Sequence, residues 1–209
     1  MDLTLYVITD EKIGLGRSHV ELAENALKGG ATVIQLRDKK KSSRELYYTG
    51  LKIKKLTTKY NALYIVNDRL DIALATKADG VHLGLDDLPV SAARSIAGKN
   101  FIIGASVSNK SQAINAIKSG ADYLSVQSIF PTTSKNGVKV VGLKELSEIK
   151  KISKIPVVAI GGINVKNVSN VIGSGADGAA VISAIVRQSN IKEATLKLKE
   201  EIIKSLKGC

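Results

Sequence analysis

Eight short apolar runs rich in β-branched residues alternate along the chain with longer segments whose apolar residues recur at helical spacing. The runs fall at 3–9, 32–37, 63–67, 80–84, 101–106, 123–127, 157–161 and 178–183, and each predicts a strand. The segments around them predict helices over 18–29, 43–60, 69–76, 91–97, 109–119, 143–151, 165–173 and 191–206. Strands such as "LYIVN" and "VVAIG" are apolar almost throughout. A strand covered on both faces reads this way, so the pattern implies a parallel sheet under helices.

Four strands share an entrance phrase: "KGGATVIQL", "TKADGVHLG", "KSGADYLSV" and "GSGADGAAV". Small residues end the helix and a tight turn follows. Eight such units closing on themselves predict an α/β fold, a single (β/α)₈ barrel domain over residues 1–209. The alternative is a doubly wound open sheet. Its dinucleotide fingerprint is missing, because "GLGRSH" (14–19) lacks the third glycine and does not directly follow a strand.

A barrel of this kind carries its chemistry just past the C-terminal strand ends. Those positions hold Gln35, Arg37 and Lys39 after the second strand, Asn67 and Asp68 after the third, and Asp86 and Asp87 after the fourth. Ser106 follows the fifth, and Thr132, Thr133, Ser134 and Lys135 follow the sixth. Cations and hydroxyls beside carboxylates suit a polyphosphate with a divalent metal, since Mg²⁺ is commonly held by one or two carboxylates plus phosphate oxygens. The same spacing also lets Asp68 and Asp87 serve as helix N-caps. Past the last two strands, Gly161-Gly162 and Ile182-Ser183 offer backbone N–H groups for a phosphate. A tight turn without a ligand is the other reading.

Composition narrows the class. Of 209 residues, 44% are hydrophobic and 24% charged, an ordinary globular balance. The net charge of +12 admits nucleic acid. The lysines, however, are scattered over amphipathic segments, and 4% aromatic content leaves little for base stacking. Small phosphorylated substrates suit the charge better, with no nucleic-acid and no membrane partner. Oligomeric state is open between monomer and small homo-oligomer. The start "MDLTLYVITD" has too short an apolar run for a signal peptide, no run reaches a membrane span, and the lone cysteine, Cys209, excludes an intramolecular disulfide. A cytoplasmic protein is expected. The two histidines form no zinc cluster. His82, mid-strand, reads as a hydrogen-bonded barrel residue ahead of a general base. His19 is expected near the start of the first helix, exposed.

The stretches "LYVITD", "GGATVIQLRDK", "VNDRLDIALA", "GVHLGLDDLP", "IIGASV", "SIFPTTSK", "IPVVAIGGI" and "AAVISAI" together resemble the thiamine phosphate synthases over nearly the whole chain. The resemblance implies a (β/α)₈ barrel. It implies an Mg²⁺-dependent transfer joining 4-amino-5-hydroxymethyl-2-methylpyrimidine diphosphate to a thiazole phosphate, with release of diphosphate through a pyrimidinylmethyl cation. Carried over residue by residue, Gln35, Leu36, Arg37, Asp38, Lys39, Asn67, Ser106 and Lys135 would bind the pyrimidine diphosphate. Arg37, Lys39 and Lys135 would assist its departure. Thr132, Thr133, Ser134, Gly162, Ile182 and Ser183 would hold the thiazole phosphate, and Asp68 and Asp87 one Mg²⁺. Departures from the family pattern fall at Leu85, Gln127 and Ser134. Sister thiazole tautomerases on the same barrel tend to lack the diphosphate and metal residues that are present here. A non-catalytic basic anion-binding protein is the remaining alternative.

Overall fold

The computed structural model describes residues 1–131 and 140–208. Eight parallel strands close into a barrel in sequence order. They are β1 (Leu5–Thr9), β2 (Val33–Leu36), β3 (Leu63–Asn67), β4 (Gly80–Leu83), β5 (Ile102–Val107), β6 (Tyr123–Val126), β7 (Val157–Ile160) and β8 (Gly178–Val181). The register Leu5↔Ala179 to Val7↔Val181 joins β8 back to β1 and completes the ring. The expected barrel is therefore present, with every expected strand in place.

The helices around it are α1 (His19–Lys28), α2 (Ser43–Lys59), α3 (Leu70–Ala75), α4 (Val90–Ala97), α5 (Lys110–Lys118), α6 (Gly142–Ile152), α7 (Val168–Gly173), α8 (Ser183–Val186) and α9 (Ile191–Lys207). Starts are signalled locally: Ser42 and Glu45 form a reciprocal capping box on α2, and Ser18 and Asn109 cap α1 and α5. The short α8 is the one helix the pattern misses. Only its first residue, Ser183, falls within the strand expected over 178–183; β8 stops at Val181 and Ile182 (φ −118°, ψ −88°) breaks the extended path. Four residues are too few to display a helical period.

Both faces of each strand are buried, which is why alternation is absent. On β1, Leu5 and Val7 pack outward against helices while Tyr6 and Ile8 point into the barrel with Val33, Ile65 and Val158. None of the helices is long and apolar enough to cross a membrane among the described residues.

The shared entrance phrase has a structural cause. Asp79, Asp122 and Asp177 each stand at the mouth of an even-numbered strand. Each carboxylate accepts the N–H of the residue whose carbonyl takes its own N–H: Tyr64, Ile103 and Val157, at 2.8, 2.7 and 2.7 Å. Each also holds a cation from the helix leading into the odd-numbered strand, namely Lys54, Arg94 and Lys150, at 2.6, 2.5 and 2.6 Å. In the fourth copy Thr32 does the same with a hydroxyl, accepting the Leu5 N–H at 3.1 Å.

Candidate active site

A cavity of about 660 Å³ opens at the C-terminal strand ends, within the range for small-molecule sites. Among the described residues it brings together Gln35, Arg37, Lys39, Asn67, Asp68 and Asp87 on one side. Ser106, Gly162, Ile182 and Ser183 line it as well. Leu36 and Asp38 do not. Leu36 alternates outward on β2 and packs, 1% exposed, between barrel and helices. Asp38 turns away to accept the Lys40 and Lys41 N–H groups (2.7 and 3.0 Å) and to meet His19 Nε2 at 3.1 Å. Thr132, Thr133, Ser134 and Lys135 lie outside the described residues.

Asp68 and Asp87 are not helix caps. The N-cap positions of α3 and α4 are Arg69 and Pro89, and neither helix has a side-chain cap bond. Asp68 instead sits in the left-handed region (φ 60°), an uncommon conformation for a non-glycine residue that turns its carboxyl off the end of β3 into the cavity. Asp87 folds back so that Oδ2 accepts the Gly84 N–H at 2.6 Å. Burial and then the neighbouring Asp87 carboxylate push the Asp68 carboxyl up to about 6, against the opposing charge of Lys39 3.4 Å away. Like charges held this close disfavour double ionisation. Two hard oxygen donors this close suit a small divalent ion. Asp86 is exposed and outside the cavity, so only one of the adjacent pair reaches it.

Arg37 is aimed by a residue the sequence reading left out. Asp10, just past β1, accepts from its Nη1 at 3.0 Å. The signal was the acid closing "LYVITD". Arg17 fastens the following loop by donating to the carbonyls of Gln188 and Val186 at 2.7 and 2.8 Å.

At the far side, Gly161 and Gly162 have φ of 111° and 65°. A Cβ on Gly162 would stand 2.5 Å from the Pro131 carbonyl, and one on Gly161 2.6 Å from Ser128 Cα. The glycines thus let the chain after β6 lie directly on the end of β7, where Ile129 and Phe130 donate to the carbonyls of Ile160 and Gly161 at 3.1 and 3.0 Å. The N–H groups of Gly162 and Ile182 donate to no backbone carbonyl among the described residues. Both residues line the cavity.

The family model described as thiamine monophosphate synthase matches residues 5–185. A thiamine-phosphate synthase of Methanospirillum hungatei is 49% identical over 206 residues, which is 98% of this chain and 100% of that one. One of Pyrococcus abyssi is 50% identical over 96% of this chain and 95% of its own length. The chain belongs to the thiamine monophosphate synthase family. It is accordingly an enzyme, a transferase of thiamine biosynthesis. The solved structure of a thiamine phosphate pyrophosphorylase from Pyrococcus furiosus superposes with a TM-score of 0.92 at 46% identity, covering 98% of both chains.

A further expectation needs correcting. His19 opens α1 as expected but is fully buried, not exposed. Its Nδ1 lies 2.8 Å from Thr9 Oγ1, and its Nε2 faces Asp38 and, at 3.9 Å, Glu11. Both carboxylates would be raised by burial, yet hydrogen bonds hold them below the usual range: from Lys41 and His19 on Glu11, and from Lys40, His19 and Lys41 on Asp38. Lys41 Nζ, 2.9 Å from Glu11, already supplies the cation of this cluster. His82, by contrast, is the barrel residue its position implied, 3.0 Å from both Tyr123 and Ser106.

Proposed function

We propose that the enzyme joins 4-amino-5-hydroxymethyl-2-methylpyrimidine diphosphate to a thiazole phosphate and releases diphosphate. The observation that carries this reading is one cavity holding the Asp68–Asp87 pair with Arg37 and Lys39 and lined also by Gly162 and Ile182, whose N–H groups donate to no backbone carbonyl among the described residues. An acid pair among cations suits a metal-bound diphosphate, and free amide N–H groups suit a second, separate phosphate. Mg²⁺ held by Asp68 and Asp87 would neutralise diphosphate oxygens.

The protein's own share is electrostatic and positional. Arg37, Lys39 and Lys135 take up negative charge as the pyrimidine CH₂–O bond breaks. Gln35, Asn67 and Ser106 hold the pyrimidine diphosphate, while Thr132, Thr133, Ser134, Gly162, Ile182 and Ser183 hold the thiazole phosphate. The thiazole nitrogen uses its own lone pair to form the C–N bond, so no side chain needs to remove a proton. The site supplies no histidine poised for that work, since His82 is engaged by Tyr123 and Ser106. Excluding water from the cation and aligning the two partners are what remain. A tautomerase would have no use for the Asp68–Asp87 pair.

The test is a coupling assay with both substrates and Mg²⁺, following diphosphate and thiamine phosphate together. Equal yields of the two, abolished by a chelator, are expected. Turnover of a thiazole phosphate without the pyrimidine would instead assign a tautomerase.

A further inference from the structure

At the floor of the cavity the barrel interior carries a line of polar groups. Gln35 on β2 donates from Nε2 to the Tyr6 hydroxyl on β1 at 2.8 Å. Tyr6 Oη is 2.9 Å from Tyr123 Oη on β6, which is 3.0 Å from His82 Nδ1 on β4. His82 Nε2 is 3.0 Å from Ser106 Oγ on β5. Tyr6, Tyr123 and His82 are buried; Gln35, Tyr6, His82 and Ser106 border the cavity, and Tyr123 does not. Gly104 makes the crossing possible, because a side chain there would overlap the Tyr123 ring. The rings of His82 and Tyr123 stack at 5.6 Å between centroids, which holds the imidazole edge in line.

Each hydroxyl has one proton to give, and the arrangement that spends every proton on a neighbour runs in one direction. With the Gln35 amide donating to Tyr6, the Tyr6 proton points to Tyr123. The Tyr123 proton then points to His82 Nδ1. A neutral His82 therefore carries its proton on Nε2 and donates to Ser106, whose own proton is left for the cavity. At the other end, Gln35 Oε1 takes no hydrogen bond among the described residues, so an acceptor is left for the cavity.

We propose that Tyr6, Tyr123 and His82 are positioning residues of a one-way relay that makes Gln35 an acceptor and Ser106 a donor toward the ligand. Burial raises both tyrosine hydroxyls well above their ordinary range, so neither ionises to reverse the order. A polarised floor of this kind selects a flat neutral ring bearing an amino donor, with an acceptor placed for the serine. A ring with a carbonyl in place of the amino group would set oxygen against oxygen and be rejected. The inference rests on the reading that Gln35 and Ser106 face the pyrimidine diphosphate.

Two measurements test it. In ¹⁵N-edited imidazole spectra of the ligand-free protein, assigned with a His82→Asn variant, His82 is expected as the Nε2–H tautomer, and Tyr123→Phe should abolish that preference. An Nδ1–H tautomer or an imidazolium at neutral pH overturns the relay. In the coupling assay, Tyr6→Phe and Tyr123→Phe are each expected to raise KM for the pyrimidine diphosphate about tenfold while KM for the thiazole phosphate stays within about twofold. Tyr6→Phe should also narrow the discrimination between the amino substrate and its oxo analogue, since the Gln35 amide is then free to turn. Unchanged kinetics in both variants, or equal losses toward both substrates with a lowered Tm, reduces the tyrosines to ordinary core residues and overturns the proposal. A wild-type protein that couples nothing counts against the proposed reaction, and the tautomer spectrum still decides the relay.

Discussion

The two ends of the barrel use aspartate in opposite ways. At the N-terminal end Asp79, Asp122 and Asp177 each face a cation at 2.5–2.6 Å and a backbone N–H at 2.7–2.8 Å. At the C-terminal end Asp68 has a lysine at 3.4 Å and another carboxylate beside it, and its carboxyl is pushed up to about 6. Charge that is fully compensated by the protein holds strands in register. Charge left uncompensated is available to something the protein must bind. Residue type alone says nothing about which end a given aspartate serves.

The sharpest way to break this contrast is to remove charge at each end. Asp87→Asn is expected to lower turnover by about a hundredfold or more and to weaken Mg²⁺ dependence, with little change in Tm. Asp86→Asn, on an exposed side chain, should be mild. Steady-state rates against Mg²⁺ concentration for both variants check this, and a more damaging Asp86 change would reverse the assignment.

At the other end, Asp79→Ala removes a charged acceptor from the Tyr64 N–H and a partner from Lys54. A loss of about 2 kcal/mol in unfolding free energy is expected, with turnover per folded molecule unaltered. Urea denaturation paired with rate measurements separates the two effects.

Acid titration sharpens the comparison from another side. The folded protein holds the Asp68 carboxyl at about 6 against its usual 3.8, so the protonated form favours the fold. Its stabilising contribution is complete below about pH 4 and is lost as pH rises through about 6. The metal-free protein should therefore lose Tm over that interval. Mg²⁺ should restore it at pH 7, and in Asp87→Asn both responses should shrink. A flat profile would mean that the pair is not strained.

The smallest expected effect lies at the uncharged copy of the entrance phrase. Thr32→Val deletes the acceptor of the Leu5 N–H and should cost about 1 kcal/mol, less than Asp79→Ala because no charge is involved. Gly162 is a poor probe of phosphate binding, since any side chain there meets the Pro131 carbonyl and disturbs the fold as well.

Several features were settled by the sequence itself. Eight apolar runs and four repeated entrance phrases were enough for the barrel, because burial on both strand faces and a glycine-ended helix leave local marks at each unit. The strand-end rule then placed Gln35, Arg37, Asn67, Asp68, Asp87 and Ser106 at one mouth, where the structure brings them together. What the chain order could not carry is direction and partnership across strands. Leu36 and Asp38 sit inside the right motif, yet one-residue alternation and a local turn send them away from the cavity. His19 lies in a polar stretch but is buried, its Nε2 meeting Asp38 nineteen positions away. The line from Gln35 through Tyr6, Tyr123 and His82 to Ser106 joins five different strands, with Tyr6 and Tyr123 117 positions apart. Local propensity acts over a few residues and so is written in sequence; contacts between distant strands exist only once the ring has closed.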